Sequence, residues 1–261
     1  MELPIYQVDA FTDQLFGGNP AAIVPLEDWL ADDLMQKIAS ENNLSETAFF
    51  VPFEGNFEIR WFTPKAEVDL CGHATLATAH VLFEHKKYTG KTIIFHSKSG
   101  ILKVEKSNNL YTMDFPADKI RPVTCPDEIT KGLGCVPLET FLGKDDYLIV
   151  IDSEKEILNI RPDFRMLSLL ENARGVIVTA PGNEVDFVSR CFYPQFGIDE
   201  DPATGSAHTT MTPYWAQRLN KIELIALQCS PRKGVLQCKY LQDRVLISGR
   251  AVTFLKGKML L

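Results

Sequence analysis

The 261-residue sequence lacks the features of several protein classes. No stretch approaches the ~20 apolar residues that a transmembrane helix needs, so no membrane span is predicted. The N-terminus has no basic region followed by an apolar run, so we expect no signal peptide. The six cysteines include no C-x-x-C pair, which is typical of separate thiols in a reducing compartment. These absences predict a cytoplasmic protein.

The sequence also has little that would bind a metal or a polyanion. It contains no H-E-x-x-H motif and no cysteine cluster, and the interval from His73 to His80 is not a metal-ligand spacing. The formal net charge is −7 and the pI about 5.3, which disfavours non-specific binding to nucleic acid or to an anionic membrane. We therefore expect no metal, no nucleic acid and no membrane partner.

The clearest pattern is a passage at residues 60–80 that returns at residues 190–208. Both copies open with R-x-F-x-P, and both reach a glycine flanked by small polar residues before a long helix-like segment. Allowing a three-residue insertion, one unit is used twice. We predict two lobes, residues 1–116 and residues 117–250, with the C-terminal strand 251–261 completing the first.

Hydrophobic periodicity predicts one central helix in each half. Residues 74–83 are small or apolar on every side, as in a helix that is buried all round, and residues 207–219 form a more polar counterpart. Short alternating stretches predict strands around both helices, which makes the expected class α+β. Further helices are predicted over residues 28–41 and 165–172, and a linker over the proline-rich residues 116–126.

The two glycines that open the central helices, Gly72 and Gly205, are candidates for ligand binding. A helix start exposes unpaired N–H groups and the positive end of the dipole, and glycine lets a ligand approach closely. Two such starts facing one cleft could bind a carboxylate or stabilise an enolate. The alternative is that both glycines only allow close packing, but their recurrence favours function.

Several polar residues beside these glycines have two interpretations each. His73 is either a donor or proton relay, or a packed core histidine. Asp201-Pro202 is either a helix start, with aspartate as N-cap, or a carboxylate in the cleft. Thr204 and Ser206 are either ordinary caps or hydrogen-bond partners of a substrate.

Two further side chains could carry chemistry. Cys71 at a helix N-terminus could be a nucleophile or base with a lowered pKa, but Thr204 occupies its place in the other half, so a two-thiol racemase is not expected. Glu46 opens an apolar strand. A carboxylate held against Phe49 or Trp61 would have a raised pKa suited to moving protons.

Five motifs, in the same order along the chain, resemble the PhzF or phenazine-biosynthesis-like family. They are Gly18-Asn19-Pro20-Ala21, Leu44-Ser45-Glu46-Thr47-Ala48-Phe49, Phe62-Thr63-Pro64, Asp69-Leu70-Cys71-Gly72-His73-Ala74-Thr75 and Asp201-Pro202-Ala203-Thr204-Gly205-Ser206-Ala207-His208. The resemblance implies the diaminopimelate-epimerase fold: two similar lobes, each a mostly antiparallel sheet curled around a central helix, with the active site in the cleft between them.

The resemblance also implies a cofactor-independent isomerase, often dimeric, that acts on a small carboxylated substrate. In the family's phenazine-pathway member a glutamate moves a proton within 2,3-dihydro-3-hydroxyanthranilate, and Glu46 matches it. The positions that match its substrate cleft are Asn19, Gly72, His73, Asp201, Gly205 and Ser206. Related epimerases use one cysteine from each lobe, whereas the matching residues here are Cys71 and Thr204.

The sequence thus favours an isomerase in which Glu46 takes a proton from carbon and returns it elsewhere on the same molecule. His73 and Asp201 would hold polar groups or relay protons, and Cys71 and Thr204 would lie among the substrate contacts. Two alternatives stay open. One is a non-catalytic protein that binds a metabolite or a partner, and the other is a racemase or epimerase that uses Cys71 as one base.

Overall fold

The computed structural model describes all 261 residues, and the chain divides into two compact units. Unit 1 comprises Met1–Asp114 and Ser248–Leu261, and unit 2 comprises Phe115–Ile247. Strands dominate both units, and each contains one long buried helix. None of the helices has the length and apolar character that crossing a membrane requires.

The chain forms eighteen strands and six helices. The strands are β1 (Glu2–Ala10), β2 (Asn19–Pro25), β3 (Glu46–Phe53), β4 (Asn56–Phe62), β5 (Glu67–Val68), β6 (Thr92–Ser97), β7 (Gly100–Ser107), β8 (Leu110–Pro116), β9 (Arg121–Pro122), β10 (Glu139–Leu142), β11 (Asp146–Val150), β12 (Gly175–Pro181), β13 (Phe187–Tyr193), β14 (Ile198–Asp201), β15 (Glu223–Gln228), β16 (Gly234–Tyr240), β17 (Arg244–Gly249) and β18 (Ala251–Leu260). The helices are α1 (Asp32–Asn42), α2 (Gly72–Glu84), α3 (Asp127–Leu133), α4 (Glu154–Asn159), α5 (Phe164–Leu167) and α6 (Gly205–Leu219), and a 3₁₀ turn covers Pro194–Phe196.

The strands of unit 1 pair in a mixed but mostly antiparallel order. Strand β1 lies antiparallel to both β2 and β18, and β2 runs parallel to β3. Strand β4 pairs antiparallel with β3 and with the short β5, and parallel with β6. Two further antiparallel pairs, β6 with β7 and β7 with β8, complete the order.

Unit 2 repeats this pairing order. Strand β10 is antiparallel to β11, and β11 is parallel to β12. Strand β13 pairs antiparallel with β12 and with the short β14, and parallel with β15, which in turn pairs with β16. The duplication that the sequence predicts is therefore a duplication of topology, and the expected α+β class is confirmed.

The two central helices are buried as their composition predicts. In α2 every residue from His73 to Leu82 is buried, and the helix packs against β1, β2, β3 and β18. Helix α6 is buried over most of its length and packs against β11, β15 and β16. A smaller apolar cluster in unit 1 includes Met35 and Ile38 of α1 with Phe49 and Phe62.

Three element predictions needed correction. The helix expected over residues 28–41 begins only at Asp32, where two acidic residues in the first turn favour the helix dipole. The helix expected over residues 165–172 is one turn, Phe164–Leu167. The predicted linker at residues 116–126 contains β9, which pairs antiparallel with β10.

Candidate active site

In unit 1 the arginine of the repeated R-x-F motif holds the segment that precedes the central helix. Arg60 of β4 donates from Nε to Glu67 Oε1 (2.7 Å) and from Nη2 to Glu67 Oε2 (2.9 Å). Its guanidinium also lies 5.2 Å from the ring centroid of Phe62. This two-pronged ion pair ties the short strand β5 to β4, and the chain reaches the N-cap residue Cys71 four residues after Glu67.

Unit 2 contains an equivalent arginine–glutamate ion pair. Arg190 of β13 donates to Glu200 of β14 at 2.7 and 2.8 Å, and its guanidinium lies 5.1 Å from the Phe192 ring. Four residues after Glu200 comes Thr204, the N-cap of α6. The three-residue insertion between the two copies falls within the segment from arginine to glutamate, so the entry to each helix is preserved.

Both helices begin in the same way. Cys71 (φ −143°, ψ 106°) and Thr204 (φ −110°, ψ 99°) are extended N-cap residues, and neither side chain caps the first turn. Gly72 and Gly205 then occupy the first helical position. Such a start leaves the side chain of the N-cap residue available for other contacts and presents backbone N–H groups with the positive end of the dipole.

In unit 1 the fold brings together four residues that the sequence places in the site. Glu46, at the first position of β3, approaches His73 with Oε2 3.2 Å from Nε2, although this approach is not aligned as a hydrogen bond. The other ring nitrogen, Nδ1, lies 3.2 Å from Asn19 Nδ2 and 3.5 Å from Cys71 Sγ. The glutamate side chain is 13% exposed and the histidine 7%, so the group is almost enclosed.

The hydrogen-bond partners indicate the tautomer of His73. The Asn19 amide nitrogen can only donate, so His73 Nδ1 accepts and the ring proton lies on Nε2, which faces Glu46. Burial lowers the pKa of His73 to about 3. At neutral pH the imidazole is therefore uncharged and presents an N–H towards the carboxylate.

The same cluster could hold a metal ion. Glu46, Cys71 and His73 each offer one ligand atom, and these atoms lie within 4.8 Å of one another. Carboxylate, thiolate and neutral imidazole are all ligands of Zn²⁺. The sequence contains no metal-binding spacing because residue 46 joins residues 71 and 73 only through the fold.

In unit 2 Asp201 is the last residue of β14 and is buried. The hydroxyl of Thr204 donates a short hydrogen bond to Asp201 Oδ2. Gln228 donates from Nε2 to Thr204 Oγ1 (3.1 Å) and to the Asp201 carbonyl (2.6 Å), and accepts from the Thr204 N–H at 2.8 Å. Sequence reasoning missed Gln228, which follows no local motif.

The interpretation of Asp201-Pro202 as a helix start is wrong. Asp201 pairs with Cys191 in the β13–β14 ladder, which keeps the chain extended there, and the N-cap is Thr204. Asp201 is thus a buried carboxylate beside the helix start. Thr204 uses its hydroxyl within the protein, as a donor to Asp201 and an acceptor from Gln228.

Ser206, the second residue of α6, lies beside an arginine that sequence reasoning also missed. Arg174 donates from Nη2 to Ser206 Oγ at 3.2 Å. The same guanidinium donates from Nε and Nη2 to Asp146, at 3.1 and 2.5 Å. Arg174 directly precedes β12 and has no motif around it that would mark it in the sequence.

His208 is a buried histidine that contacts the N-cap of its own helix. Its Nδ1 lies 2.8 Å from the carbonyl oxygen of Thr204, and burial lowers its pKa to about 4. In unit 1 the equivalent bond is donated by Thr75 Oγ1 to the carbonyl oxygen of Cys71, at 2.6 Å. Both residues therefore tie the first turn of the helix to its N-cap.

This duplicated topology is also found in epimerases. The chain superposes on a hydroxyproline epimerase from Agrobacterium vitis, solved with bound trans-4-hydroxy-L-proline, with a TM-score of 0.59. The match covers 99% of this chain and 92% of that one at 9% sequence identity, and it shows the fold alone. A family model described as phenazine biosynthesis-like protein (PhzC-PhzF) matches residues 8–257. The chain belongs to this PhzF family.

Similar proteins of full length agree with this assignment. A protein of Pseudomonas aeruginosa named an uncharacterized isomerase is 51% identical over 259 residues, which is 99% of each chain. A crystal structure of a PhzF-family phenazine biosynthesis protein from Enterococcus faecalis has a TM-score of 0.97 and 48% identity, with all of both chains covered. The family resemblance predicted from the five motifs is confirmed.

Proposed function

We propose that the protein is an isomerase that moves a proton within a small carboxylated metabolite, with Glu46 as its acid and base. Relatives that are 48–51% identical over nearly their whole length bear the name isomerase, which supports the reaction class. The observation that carries the assignment is the nearly enclosed contact between Glu46 and the N–H of a neutral His73.

In this proposal Glu46 begins the reaction as a carboxylate and removes a proton from a carbon of the substrate. The protonated carboxyl then returns that proton at another carbon of the same conjugated system. His73 does not compete as a base because it already accepts from Asn19 at Nδ1 and carries its proton on Nε2. Its N–H can donate to the developing negative charge of the substrate.

The other site residues would bind and orient the substrate. Asp201 would hold a polar group or relay a proton, since the Thr204 hydroxyl fixes the position of its carboxylate. The helix starts at Gly72 and Gly205 would bind anionic groups through backbone N–H. The proposed substrate contacts are Asn19, Cys71, Gly72, Thr204, Gly205 and Ser206.

No metal or cofactor is required by this chemistry. The homodimer and the cytoplasmic location stay predictions.

The proposal is tested by proton exchange in D₂O. The first substrate to try is 2,3-dihydro-3-hydroxyanthranilate, because the family's phenazine-pathway member acts on it, followed by other small conjugated carboxylates. Turnover should place deuterium on the product carbon. Glu46→Gln should lower turnover by about 10²- to 10⁴-fold with an unchanged circular dichroism spectrum.

A matched control is available in the same unit. Glu58 of β4 accepts a hydrogen bond from Trp29 Nε1 at 2.9 Å, and Glu58→Gln keeps an acceptor there, so this variant should retain full activity. Full activity of Glu46→Gln would overturn the assignment. Saturable binding of a metabolite with no exchange by the wild type would favour a non-catalytic binding protein.

One observation favours a second candidate, a racemase that uses Cys71 as a base. The Cys71 thiol lies 3.5 Å from His73 Nδ1, and a histidine partner can activate a thiol. Against it, the equivalent helix start in unit 2 has Thr204, whose hydroxyl is engaged by Asp201 and Gln228. Cys71→Ala separates the two candidates, because it should abolish a racemase but leave Glu46-dependent proton transfer measurable.

A further inference from the structure

We propose that Trp61 binds a buried water molecule beside Glu46, which makes this tryptophan a positioning residue for the carboxylate. The starting observation is an indole N–H that finds no acceptor. Trp61 is 1% exposed, and its Nε1 has no hydrogen-bond partner within the chain. Folded proteins almost always satisfy a buried N–H, with a protein group or with ordered water, because leaving it unpaired is costly.

The other two tryptophans each have an acceptor of their own. Trp29 Nε1 donates to Glu58 Oε2 at 2.9 Å, and Trp215 Nε1 donates to Thr179 Oγ1 at 2.9 Å. An indole nitrogen can only donate, and its N–H is fixed in the plane of the ring, so it cannot turn towards another acceptor as a hydroxyl can. The unpaired N–H of Trp61 is therefore a feature of its own surroundings.

The strand register places Trp61 and Glu46 on one face of the β3–β4 ladder. Trp61 pairs with Ala48, and Glu46 precedes Ala48 by two residues, so all three side chains lie on the same face. The opposite face carries Phe49 and Phe62, which pack in the cluster with α1. Diagonal neighbours such as Trp61 and Glu46 are about 7–8 Å apart, within reach of an aromatic ring and a long side chain.

A second N–H beside Glu46 also lacks an acceptor. His73 Nε2 carries the ring proton because Nδ1 accepts from Asn19. This nitrogen has no hydrogen-bond partner, since its 3.2 Å approach to Glu46 Oε2 is out of line. The histidine side chain is 7% exposed, so bulk water does not supply the acceptor. Two enclosed N–H donors therefore belong to the surroundings of one carboxylate.

The chemistry of these three groups favours water as the ligand. A water oxygen can accept from both N–H donors, and a water proton can be donated to the Glu46 carboxylate. The result is about three hydrogen bonds, as buried waters commonly make. An anion in the same place would be repelled by the adjacent carboxylate. A cation would find two donors where it needs acceptors.

The water fixes the orientation of the carboxylate that takes the proton. This positioning role rests on the proposed function, whereas the water site does not. A hydrogen bond donated to Glu46 favours its charged form. Loss of the Trp61 N–H should therefore make the carboxylate easier to protonate and reduce turnover on the acid side of the pH profile.

The water site is tested in the wild-type protein without any substrate. The indole groups are labelled with ¹⁵N, and the Trp61 signal is assigned by its loss in Trp61→Phe. A rotating-frame experiment should show a dipolar cross-peak between the Trp61 indole proton and water, with the sign that distinguishes it from chemical exchange. Absence of this cross-peak overturns the water site.

The positioning role is tested by titration of the Glu46 side-chain carboxyl, followed by ¹³C NMR. In Trp61→Phe its midpoint should move to higher pH by about 0.4–1 unit, the equivalent of one hydrogen bond. Turnover on the acid limb should fall by about 2.5- to 10-fold, with the limb displaced by the same amount. Trp61→Tyr fills more of the indole volume and replaces Trp61→Phe if that variant fails to fold.

Trp29→Phe is the matched control, because it removes the indole N–H that Glu58 accepts in the same unit. It should raise the titration midpoint of Glu58 and leave that of Glu46 unchanged. An unchanged Glu46 midpoint in the folded Trp61 variant overturns the positioning role. If Glu46→Gln keeps proton exchange while the wild-type cross-peak and the Trp61→Phe titration behave as expected, the catalytic assignment fails and the water site stands.

Discussion

Glu46 Oε2 and His73 Nε2 lie 3.2 Å apart, although one residue opens a strand and the other lies in the first turn of a helix. Asn19 determines which atom faces the carboxylate, because its amide nitrogen donates to the opposite ring nitrogen. With a pKa lowered by burial to about 3, His73 is a neutral donor. In the proposed reaction the pair therefore combines one group that exchanges protons, Glu46, with one that only orients them, His73.

Asn19→Asp should disturb this arrangement without removing either partner. An aspartate would accept from His73 Nδ1–H, which moves the ring proton away from Glu46 and favours the imidazolium. We expect kcat to fall by about tenfold to a hundredfold with a smaller change in KM. The tautomer is read from the ¹⁵N shifts of the His73 ring.

An Asn19→Asp variant with the wild-type tautomer and wild-type kcat would contradict the orienting role of Asn19. Asn42→Asp is a suitable control, because Asn42 also uses its amide nitrogen as a donor, to Thr47 Oγ1 at 3.1 Å, outside the cluster. That variant should leave both the tautomer and the kcat unchanged.

The buried histidines should make stability depend on pH. Burial lowers the pKa of His73 to about 3, and those of His80 and His208 to about 4, from 6.5. The unfolded chain takes up protons below pH ~6.5 and the folded chain does not, so their contribution is complete above that pH and is lost as the pH falls towards the folded values. Between pH 7 and 5 the free energy of unfolding should fall by about 1–2 kcal/mol per histidine.

Urea unfolding at the two pH values measures this loss. His208→Gln should reduce the pH dependence of the free energy of unfolding by the share of one histidine. Equal stability of the wild type at pH 7 and pH 5 would show that these imidazoles are not held neutral.

The sequence predicts best the element that is buried on every side. Residues 74–83 are small or apolar on every side, and α2 (Gly72–Glu84) is buried from His73 to Leu82. The R-x-F repeat predicted a duplicated unit, but the sequence did not show which residues the two arginines bind. The partners of the two arginines, Glu67 and Glu200, lie on strands too short to show a period.

The site was predictable only where its residues lie in recognisable motifs. Asn19, Glu46 and His73 belong to such motifs, and the fold places them in contact. Gln228 and Arg174 could not be predicted, because they reach α6 through strand pairings between distant segments. Asp201-Pro202 looked like a helix start because the dipeptide suits one locally, while its ladder with β13 keeps the backbone extended.

The repeated arginines should contribute to stability in proportion to their burial. Arg190 pairs with Glu200 and also donates to the carbonyl oxygens of Ile157 and Ile160. Arg190→Ala leaves a carboxylate that is only 13% exposed and two carbonyls without their donor, and it should cost about 3–5 kcal/mol in urea unfolding. The more exposed Arg60 should cost less.

Two variants control for side-chain truncation. Lys37→Ala removes a pair in which both side chains are about three-quarters exposed, so it should change stability by less than about 0.5 kcal/mol. Arg190→Ala/Glu200→Ala should recover part of the loss, because no charge is left buried alone. A loss in Arg190→Ala no larger than in Lys37→Ala would show that the repeated motif is not a stabilising device.

Zinc should inhibit the proposed proton transfer, which uses Glu46 and no metal. Glu46, Cys71 and His73 offer three ligand atoms within 4.8 Å of one another, and a bound Zn²⁺ would occupy the carboxylate that must take the proton. We expect turnover to be unchanged after dialysis against EDTA, to fall on addition of micromolar Zn²⁺ and to return on chelation. Co²⁺ in place of Zn²⁺ should give a near-ultraviolet thiolate charge-transfer band that reports Cys71 as a ligand. Cys71→Ser should lose that band and tolerate more Zn²⁺ while keeping most of its activity, whereas Cys238→Ser alters a buried thiol outside the cluster and should change neither. Loss of turnover in EDTA would instead mean that the metal takes part in the reaction, because Glu46 and its N–H donors would then be insufficient on their own.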